Sequence, residues 1–496
     1  DAGNNTQRDS LFIQWINQLG DVPECRNCQA TPDSAFLKPD LTWIDKSDMD
    51  AKLKDLLHEI YLNRSQGEHY YAATNPNQGD WNPILFKNER FYGAMAYPDA
   101  GFRLLALYRY WNTIHYFYPY KHLTGKNWND VLPEYISPFI STRNELDYEL
   151  AALRLVGEVD DSHATLWGDA DKIQASRGKF KSSVTVRFIE NKPVVMEIPA
   201  SDAERTPDLQ VGDVITHING KDVNSIVDSL RPYYPASNHA TSLREIARDL
   251  LRTNDTIIFL ECNSRNQTKK VKLSIGDNRN RPQKQENTQG GSILLINRSY
   301  KFLKKDIGYV DVKTVKQEDI DLIKKDFKNT KGIIIDIRHY PNISGLSSLL
   351  GPWFVSSEKT FVKFTYGNPD NPGEFTFRKE QSVIPRTEET YRGKLVVLVN
   401  EETQSNAEFT AMAFQAGDNT TVIGSQTAGA DGNVSEIVLP GGLKTMISGI
   451  GVYYPDGRET QRIGIVPDIV VKPTIKGIRE GRDEVLEKAI EFIEKK

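Results

Sequence analysis

The fold of this chain is decided by a stretch that reads Leu395-Val396-Val397-Leu398-Val399, then Asn400-Glu401-Glu402-Thr403-Gln404-Ser405-Asn406-Ala407-Glu408-Phe409-Thr410-Ala411. The five consecutive apolar residues are typical of a strand that is buried on both faces of a sheet. The polar residues after them predict a turn, and the pattern that follows predicts a helix over 406–416. Similar apolar runs lie at 307–312, 332–337 and 422–424, with a helical pattern at 319–328. Residues 292–496 are therefore predicted to form a layered α/β domain with largely parallel strands.

Ser405 lies at the start of the predicted helix, where its side chain has two possible uses. The first amide groups of a helix lack partners within the helix and carry its positive end. A serine at this position is suited to act as a nucleophile, with the Asn406 amide beside it as an oxyanion donor. The alternative is a helix cap, in which Glu408 completes a capping box with Ser405. The stretch by itself leaves both interpretations open.

Residues 179–276 have a different texture, with short strand patterns such as 184–188, 193–198 and 256–260. They include the string Leu209-Gln210-Val211-Gly212-Asp213-Val214-Ile215-Thr216-His217-Ile218-Asn219-Gly220. Asn219-Gly220 predicts the positive-φ turn of a tight hairpin. The string resembles a PDZ domain, which takes in a peptide as an added strand at its sheet edge; the alternative is a generic hairpin. A polar tract at 277–291 predicts a linker to the α/β domain.

Two further regions precede the PDZ-like module. Residues 1–99 combine short helical patterns with turns rich in Asn, Gly and Pro, which predicts a small N-terminal helical region whose role is unknown. Residues 100–175 repeat apolar residues at spacings of three and four, as at Leu104, Leu107, Tyr108 and Trp111. This spacing predicts two or three packed amphipathic helices.

The composition excludes several classes of function. Lys and Arg total 62 and Asp and Glu total 67, which gives a net charge of −5. No basic block follows the pattern of phosphate binding, so no nucleic-acid partner is expected. The longest apolar runs are far shorter than the ~20 residues of a membrane-spanning helix. No metal-ligand spacing, phosphate loop or dinucleotide fingerprint occurs, so neither a metal nor another cofactor is expected.

The chain begins at Asp1 with a polar run and without Met. This start is expected of a processed product, so we expect an extracytoplasmic location, periplasmic or secreted. Cys25 and Cys28 form a Cys-x-x-Cys pair, and Cys262 stands alone. Three cysteines are too few for a disulfide scaffold. The pair is interpreted as incidental or mutually bonded surface cysteines, because no strand-then-helix pattern of a redox site surrounds it.

The surroundings of Ser405 favour the catalytic interpretation. Four strings accompany it, one upstream at 336–342 and three downstream at 422–432, 439–442 and 464–471. In this order, after a PDZ-like module, they resemble the serine peptidase family of C-terminal processing and tricorn-type peptidases, over about residues 103–471. The resemblance implies a ClpP/crotonase-like α/β core to which the helical segment 100–175 contributes. It also implies Ser405 as the nucleophile and a peptide or protein as the substrate.

The resemblance further implies a base. Processing peptidases pair the serine with a lysine, and the matching position here is Ala430, which excludes a Ser-Lys dyad at that position. Tricorn-type members use the histidine of a Ser-His pair, which Ser162 and His163 match. Histidine suits the task because its ordinary pKa lies near neutrality. His339 is the alternative base, since it lies on a loop beside the expected oxyanion site.

The remaining site residues follow from the same resemblance. In the family a glutamate orients the histidine through the serine that matches Ser162, and the position of that glutamate is occupied here by Gln461. If residues 459–463 form a strand, Glu459 lies on the same face as Gln461 and is the other candidate. The second oxyanion donor, a Gly-Gly in the family, falls at Asn342 and Ile343. The leading hypothesis is a tail-specific or tricorn-like serine peptidase. The alternative is a catalytically inactive protein on this fold that binds peptides or apolar ligands.

Overall fold

The structure of the protein is a computed structural model. It describes residues 3–18, 20–26, 28, 30–65, 67–74, 82–200, 206, 208–265, 267–275, 299–378, 380–386 and 389–495. The predicted linker at 277–291 lies outside these residues. Within the described ranges, no helix has both the length and the apolar character that crossing a membrane requires.

The N-terminal region contains helices α1 (Asn5–Gln18), α2 (Thr42–Lys46) and α3 (Ala51–Leu62), then the antiparallel strands β1 (Ala72–Thr74) and β2 (Ile84–Phe86). An extended segment before α2 lies on the α/β domain, where Leu37 forms an antiparallel bridge with Phe375. Cys25 and Cys28 form a disulfide with their Cα atoms 5.5 Å apart. Cys262 is buried and free. The two N-terminal cysteines are therefore mutually bonded, one of the two expected alternatives.

The next region is helical, with α4 (Ala100–Phe117), α5 (Trp128–Ile140), α6 (Glu145–Gly157), strand β3 (Leu166–Gly168) and α7 (Asp171–Ser176). Side-chain caps start two of these helices: Asp99 accepts the amide of Phe102, and Asn144 accepts the amide of Asp147. The apolar faces form one buried cluster with residues far along the chain, including Tyr453. Strand β3 pairs with residues 443–445. This segment therefore packs into the α/β domain.

The β-rich region contains strands β4 (Phe180–Lys181), β5 (Thr185–Ile189), β6 (Lys192–Glu197), β7 (Val214–Ile218) and β8 (Lys221–Asp222), helices α8 (Val223–Leu230) and α9 (His239–Asp249), and strands β9 (Arg252–Thr253), β10 (Ile257–Ser264) and β11 (Gln267–Ser274). Its main sheet has the order β11-β10-β7-β6-β5, so β5 is an edge strand. Asn219 and Gly220, between β7 and β8, have φ values of 50° and 76°. The predicted positive-φ turn is confirmed. The region encloses a core of its own, with Ile215, Ile246 and Leu260 at its centre.

The α/β domain contains β12 (Tyr300–Lys304), β13 (Ile307–Asp311), α10 (Asp319–Phe327), β14 (Gly332–Asp336), α11 (Leu346–Leu350), β15 (Lys359–Gly367), β16 (Phe375–Phe377), β17 (Gln381–Val383), β18 (Lys394–Val399), α12 (Asn406–Gln415), β19 (Thr420–Gly424), β20 (Val434–Leu439), β21 (Leu443–Ser448), β22 (Gly451–Tyr453), β23 (Ile469–Val470), α13 (Ile475–Arg479) and α14 (Glu484–Glu494). The strands and helices predicted in this domain are present at the expected places. The α/β class is confirmed.

The central sheet has the order β12-β13-β14-β18-β19-β23 and is parallel from β13 onward. Strand β18 shows why its sequence is continuously apolar. Val397 and Val399 face one hydrophobic cluster, whereas Val396 and Leu398 face another that includes Ile493 of α14. Because side chains alternate along a strand, burial of both faces requires an apolar residue at every position.

Candidate active site

The candidate site lies at the carboxyl edge of the central sheet, where β14, β18 and β19 end side by side. The loops that follow these strands are tied to one another. The hydroxyl of Thr403 donates to the Ile337 carbonyl at 2.8 Å, and the N–H of Ala428 donates to the Thr403 carbonyl at 2.9 Å. Side chains from distant parts of the sequence therefore meet at this edge, as is common in parallel sheets.

Ser405 sits on a strained turn between β18 and α12. Its φ of 56° and ψ of −123° are uncommon for any residue other than glycine. Its N–H faces the Ala430 carbonyl at 3.0 Å and the Glu408 carboxylate at 3.2 Å. Backbone strain of this kind costs about 1–3 kcal/mol and persists where the surroundings impose it. A sharp strand-to-helix turn presents a nucleophile at the top of a sheet.

Glu408 holds this turn from the interior. Its side chain is fully buried and accepts the amides of Gly429 at 2.7 Å and Ala430 at 3.0 Å, and the hydroxyl of Thr427. Burial raises the pKa of the Glu408 carboxyl, and these donors act in the opposite direction. The bond from Glu408 to the Ser405 amide that the capping-box interpretation requires is present. The same contact fixes the backbone of Ser405, so it is compatible with either interpretation of this serine.

The predicted oxyanion donors differ in their availability. Asn406 provides the first amide of α12, and no acceptor for this N–H occurs among the described residues. The amide of Asn342 instead donates to the Val312 carbonyl at 2.9 Å. Ile343 packs against the hydrophobic core. The Asn342 amide is thus used by the fold and is not free to bind an oxyanion in this conformation.

His163 lies in the loop after α6, with 9% of its side chain exposed. Its Nδ1 is 2.9 Å from Ser448 Oγ. The hydroxyl and the N–H of Ser448 donate to the Asp161 carboxylate at 3.1 Å and 2.7 Å. Asp161 is fully buried and also accepts the His163 amide at 3.0 Å. A buried carboxylate and a serine therefore hold this imidazole from one side.

These contacts select one form of the imidazole. A carboxylate only accepts hydrogen bonds, so Asp161 takes the single hydroxyl proton of Ser448. The Ser448 oxygen then accepts from Nδ1–H of His163, which leaves Nε2 with its lone pair. Burial lowers the pKa of His163 most, opposed by the charge of Asp161 and assisted by that of Arg244. A neutral imidazole with a free Nε2 is the form that a general base requires.

The structure brings the loops of Ser405 and His163 into contact. Nε2 of Gln404 lies 3.5 Å from the Ser162 carbonyl, and the Ser162 hydroxyl donates to the Ala428 carbonyl at 3.2 Å. Among the described residues, no hydrogen bond joins the Ser405 hydroxyl to the His163 ring. Such bonds are often long in ligand-free enzymes and tighten when substrate binds.

The two residues predicted to orient the histidine have other partners. The strand expected over 459–463 is wrong: Glu459 forms a single bridge with the backbone of β22, and a turn follows. The Glu459 carboxylate lies 2.5 Å from His122 Nε2, and Gln461 Nε2 lies 3.4 Å from the Tyr118 hydroxyl. Within the described ranges, neither Glu459 nor Gln461 has a hydrogen bond to Ser162.

Sequence reasoning missed two residues that hold His163. Asp161 stands two positions before it, inside the string that identified the histidine, so an acidic neighbour was available as a signal. Ser448 ends β21 and lies 285 residues away. No feature of the sequence points to it, because only the packing of β21 against the loop after α6 brings it close.

A cleft of about 900 Å³ opens between β5, α9 and the loops that follow β14 and β18. His339, the alternative base, is exposed on the wall of this cleft. Its neighbour Arg338 is held at 2.6 Å from Asp336 and 2.7 Å from Asp483. No carboxylate or hydroxyl partner for the His339 ring occurs in the part of the chain that the structure describes. His163 therefore has the better-prepared imidazole.

The fold is shared with solved structures of other proteins. The structure of mature CPAF complexed with lactacystin aligns with a TM-score of 0.60 at 15% identity, over 79% of this chain and 98% of that one. A structure of mature CPAF alone gives the same score over 79% of this chain and 96% of that one. At this identity the likeness shows the fold. It places the chain in the class of mixed α/β proteins that these structures represent.

The sequence comparison supplies the family. Residues 306–471 match the model of Peptidase family S41. A carboxy-terminal-processing protease of Bartonella bacilliformis is 28% identical over 191 residues, 36% of this chain and 42% of that protein. A protein of Chlamydia trachomatis is 29% identical over 117 residues, 23% of this chain and 20% of that protein. The chain thus spans less than half the length of either relative. The predicted resemblance is confirmed, in that residues 306–471 are similar to peptidase family S41.

Proposed function

We propose that this protein is a serine peptidase in which Ser405 attacks a peptide carbonyl and His163 is the base. The observation that carries the proposal is the strained Ser405 at the start of α12, next to a loop in which Ser448 Oγ holds Nδ1 of His163 at 2.9 Å. Burial lowers the pKa of this imidazole. The match of residues 306–471 to a peptidase family supports peptide bonds as the target. A histidine base and Ala430 at the lysine position favour the tricorn-like branch.

The reaction needs four proton transfers through one imidazole, two as the ester forms and two as it is hydrolysed. Nε2 of His163 accepts the Ser405 hydroxyl proton as Oγ bonds to the carbonyl carbon, and the Asn406 amide donates to the resulting oxyanion. The imidazolium then gives this proton to the leaving amine as the C–N bond breaks, which leaves an ester on Ser405. A water that loses its proton to His163 hydrolyses the ester, and the proton returns to Oγ.

A fluorophosphonate probe tests this function against the inactive alternative. Labelling of the wild-type protein, together with loss of labelling in Ser405→Ala, is the expected result. A folded wild-type protein that neither reacts with the probe nor cleaves casein would favour a protein that only binds peptides or apolar ligands.

Asp161 takes the orienting part in this proposal, through Ser448. Asp161→Asn is expected to lower kcat by about 10²-fold or more with little change in KM. The uncharged asparagine no longer stabilises the imidazolium, and in either orientation its Nδ2 faces an N–H that Asp161 now accepts, from His163 or from Ser448. The hold on the imidazole is therefore expected to weaken, and the base to become less effective. Kinetics with a quenched fluorogenic peptide measure the effect.

Glu459→Gln and Gln461→Ala are the comparison variants for this measurement. Both are expected to lose less activity than Asp161→Asn, because Glu459 pairs with His122 and Gln461 with Tyr118. A larger loss in Glu459→Gln than in Asp161→Asn would return the orienting part to Glu459. A larger loss in Gln461→Ala would assign it to Gln461.

We further propose that the β-rich region is a PDZ-like module that receives the substrate peptide along β5. Strand β5 is an edge strand, and it lines the 900 Å³ cleft together with α9. An unpaired edge beside a helix is the arrangement in which a peptide adds as a strand. Ala240→Trp would fill this cleft from α9. We expect it to raise KM for a long peptide more than KM for p-nitrophenyl acetate, and equal effects on both would argue against the module.

An extracytoplasmic location, periplasmic or secreted, is proposed as well. The Cys25–Cys28 disulfide supports it, because such bonds persist in oxidising compartments. Thiol labelling of fractionated cells is expected to find Cys25 and Cys28 protected from alkylation before reduction. Reaction of both cysteines in a cytoplasmic fraction that holds most of the protein would contradict this location.

A further inference from the structure

The start of α9 is hydrogen-bonded to the loop that carries His163 and to the loop that follows β19. The Ser162 amide donates to Ser237 Oγ and the Ser237 amide donates to Ser162 Oγ, each at 2.8 Å. Nδ2 of Asn238 donates to the Ala428 carbonyl at 3.1 Å. Ser237 is buried and Ser162 is partly buried at this junction. The β-rich region therefore touches the loop that carries His163 directly.

Arg244, further along α9, reaches the loop that carries the nucleophile. Its Nη1 donates to the Glu401 carbonyl at 2.5 Å, and its Nη2 donates to Gln404 Oε1 at 2.7 Å. Nε donates to Glu245 at 2.8 Å, and the residue is only 8% exposed. A guanidinium presents its donors in fixed directions within a plane. Arg244 thus fixes the position of the Gln404 side chain through a directed hydrogen bond, in addition to placing a positive charge beside it.

Gln404 connects this arginine to the base. Its Oε1 accepts from Arg244, while its Nε2 lies 3.5 Å from the Ser162 carbonyl. Gln404 precedes Ser405 in the chain, and Ser162 precedes His163. The side-chain amide of Gln404 therefore joins Arg244 to Ser162. It also links the residue before Ser405 to the residue before His163.

Arg244 also faces His163 electrostatically. The charged groups that act on this imidazole are Asp161 on its own loop and Arg244 on α9, and the Ser448 hydroxyl contacts it from β21. The positive charge of Arg244 lowers the pKa of His163, in addition to the larger effect of burial.

We propose that Arg244 is a positioning residue of the active site, which holds Gln404 so that Ser405 and His163 keep a productive separation. The β-rich region then completes the catalytic geometry as well as receiving peptide. This inference rests on the proposed peptidase function. Arg244 lies outside residues 306–471, so the proposed site includes a residue beyond the stretch that matches the family.

Arg244→Met is expected to lower kcat by about 10²-fold with little change in KM, because a displacement of about 1 Å at reacting groups has an effect of this size. Loss of the positive charge lets His163 protonate more readily. The acid limb of the kcat profile is therefore expected to move to higher pH. A quenched fluorogenic peptide and a pH series provide both readouts.

Three further variants separate position from charge. Arg244→Lys keeps the charge without the planar fork, so kcat is expected to fall while the acid limb stays in place. Gln404→Ala removes the side chain that joins Arg244 to Ser162. It is also expected to lower kcat while the acid limb stays in place. Arg248→Met removes an ion pair of 2.7 Å between the same helix and Glu402 without touching Gln404, and should leave the acid limb unmoved. The double variant with Arg244→Met and Gln404→Ala should show a smaller fold-reduction in kcat than the product of the two single fold-reductions.

NMR titration of His163 separates this inference from the proposed function, because it needs no turnover. Arg244→Met is expected to raise the pKa of His163, with His163→Ala used to assign its signal. A His163 ring whose chemical shifts and titration are both unchanged in Arg244→Met would overturn the inference, whether or not the protein is a peptidase. Wild-type kcat in folded Arg244→Met, in a protein whose activity requires Ser405, would overturn it while leaving the peptidase function intact.

Discussion

Ser405→Ala is expected to abolish peptide hydrolysis, with kcat lowered by a factor on the order of 10⁴–10⁶. In the proposed mechanism the hydroxyl oxygen is the atom that bonds to the carbonyl, and alanine has no atom that replaces it. Stability should change little, since a single polar contact at a helix start contributes about 1 kcal/mol. The backbone strain at φ 56° is shared by both residues, because alanine also carries a Cβ. Turnover of a fluorogenic peptide and thermal unfolding measure the two effects.

Ser425→Ala is the matched control for this variant. Ser425 follows β19 at the same edge of the sheet, and its amide donates to the Val399 carbonyl at 3.1 Å. Removal of its hydroxyl is expected to leave most of the activity. Substantial residual turnover in purified Ser405→Ala, or loss of activity in Ser425→Ala alone, would show that Ser405 is not the nucleophile.

His163→Ala is expected to cost several orders of magnitude in kcat, comparable to the loss of the serine, because the two act as a unit. In the proposed mechanism the base works only when neutral, so activity is expected to fall as pH drops through the pKa of His163. Burial lowers that pKa, so the acid limb should lie below the ordinary value of about 6.5. Above the limb, activity should be independent of this group.

His339→Ala and His163→Ala with Ala430→Lys complete the test of the base. His339→Ala should retain the wild-type acid limb, since the His339 ring is exposed on the wall of the cleft. A lysine at position 430 should not rescue His163→Ala, because the backbone there is already bonded to Ser405 and Glu408. A wild-type pH profile in His163→Ala, with activity lost in His339→Ala, would move the base to the loop after β14.

Local pattern was sufficient for the central sheet and for Ser405. A strand buried on both faces requires apolar residues at every position, so β18 can be predicted from its own sequence without knowledge of the neighbouring strands. The apolar strand and the polar turn after it also predicted where the next helix begins, and Ser405 does lie immediately before α12. The Asn219-Gly220 turn was legible for the same reason, because its two positive φ values favour those residue types.

The pairing of side chains around the site was decided by tertiary structure. Gln461 and Glu459 could be aligned with a family position, yet the turn that follows Glu459 sends one to Tyr118 and the other to His122. The hold on His163 comes from Asp161 close by and from Ser448 at the end of a distant strand. Local periodicity reports which face of an element is buried. It does not report which two elements meet, and hydrogen-bond partners are chosen only where they meet.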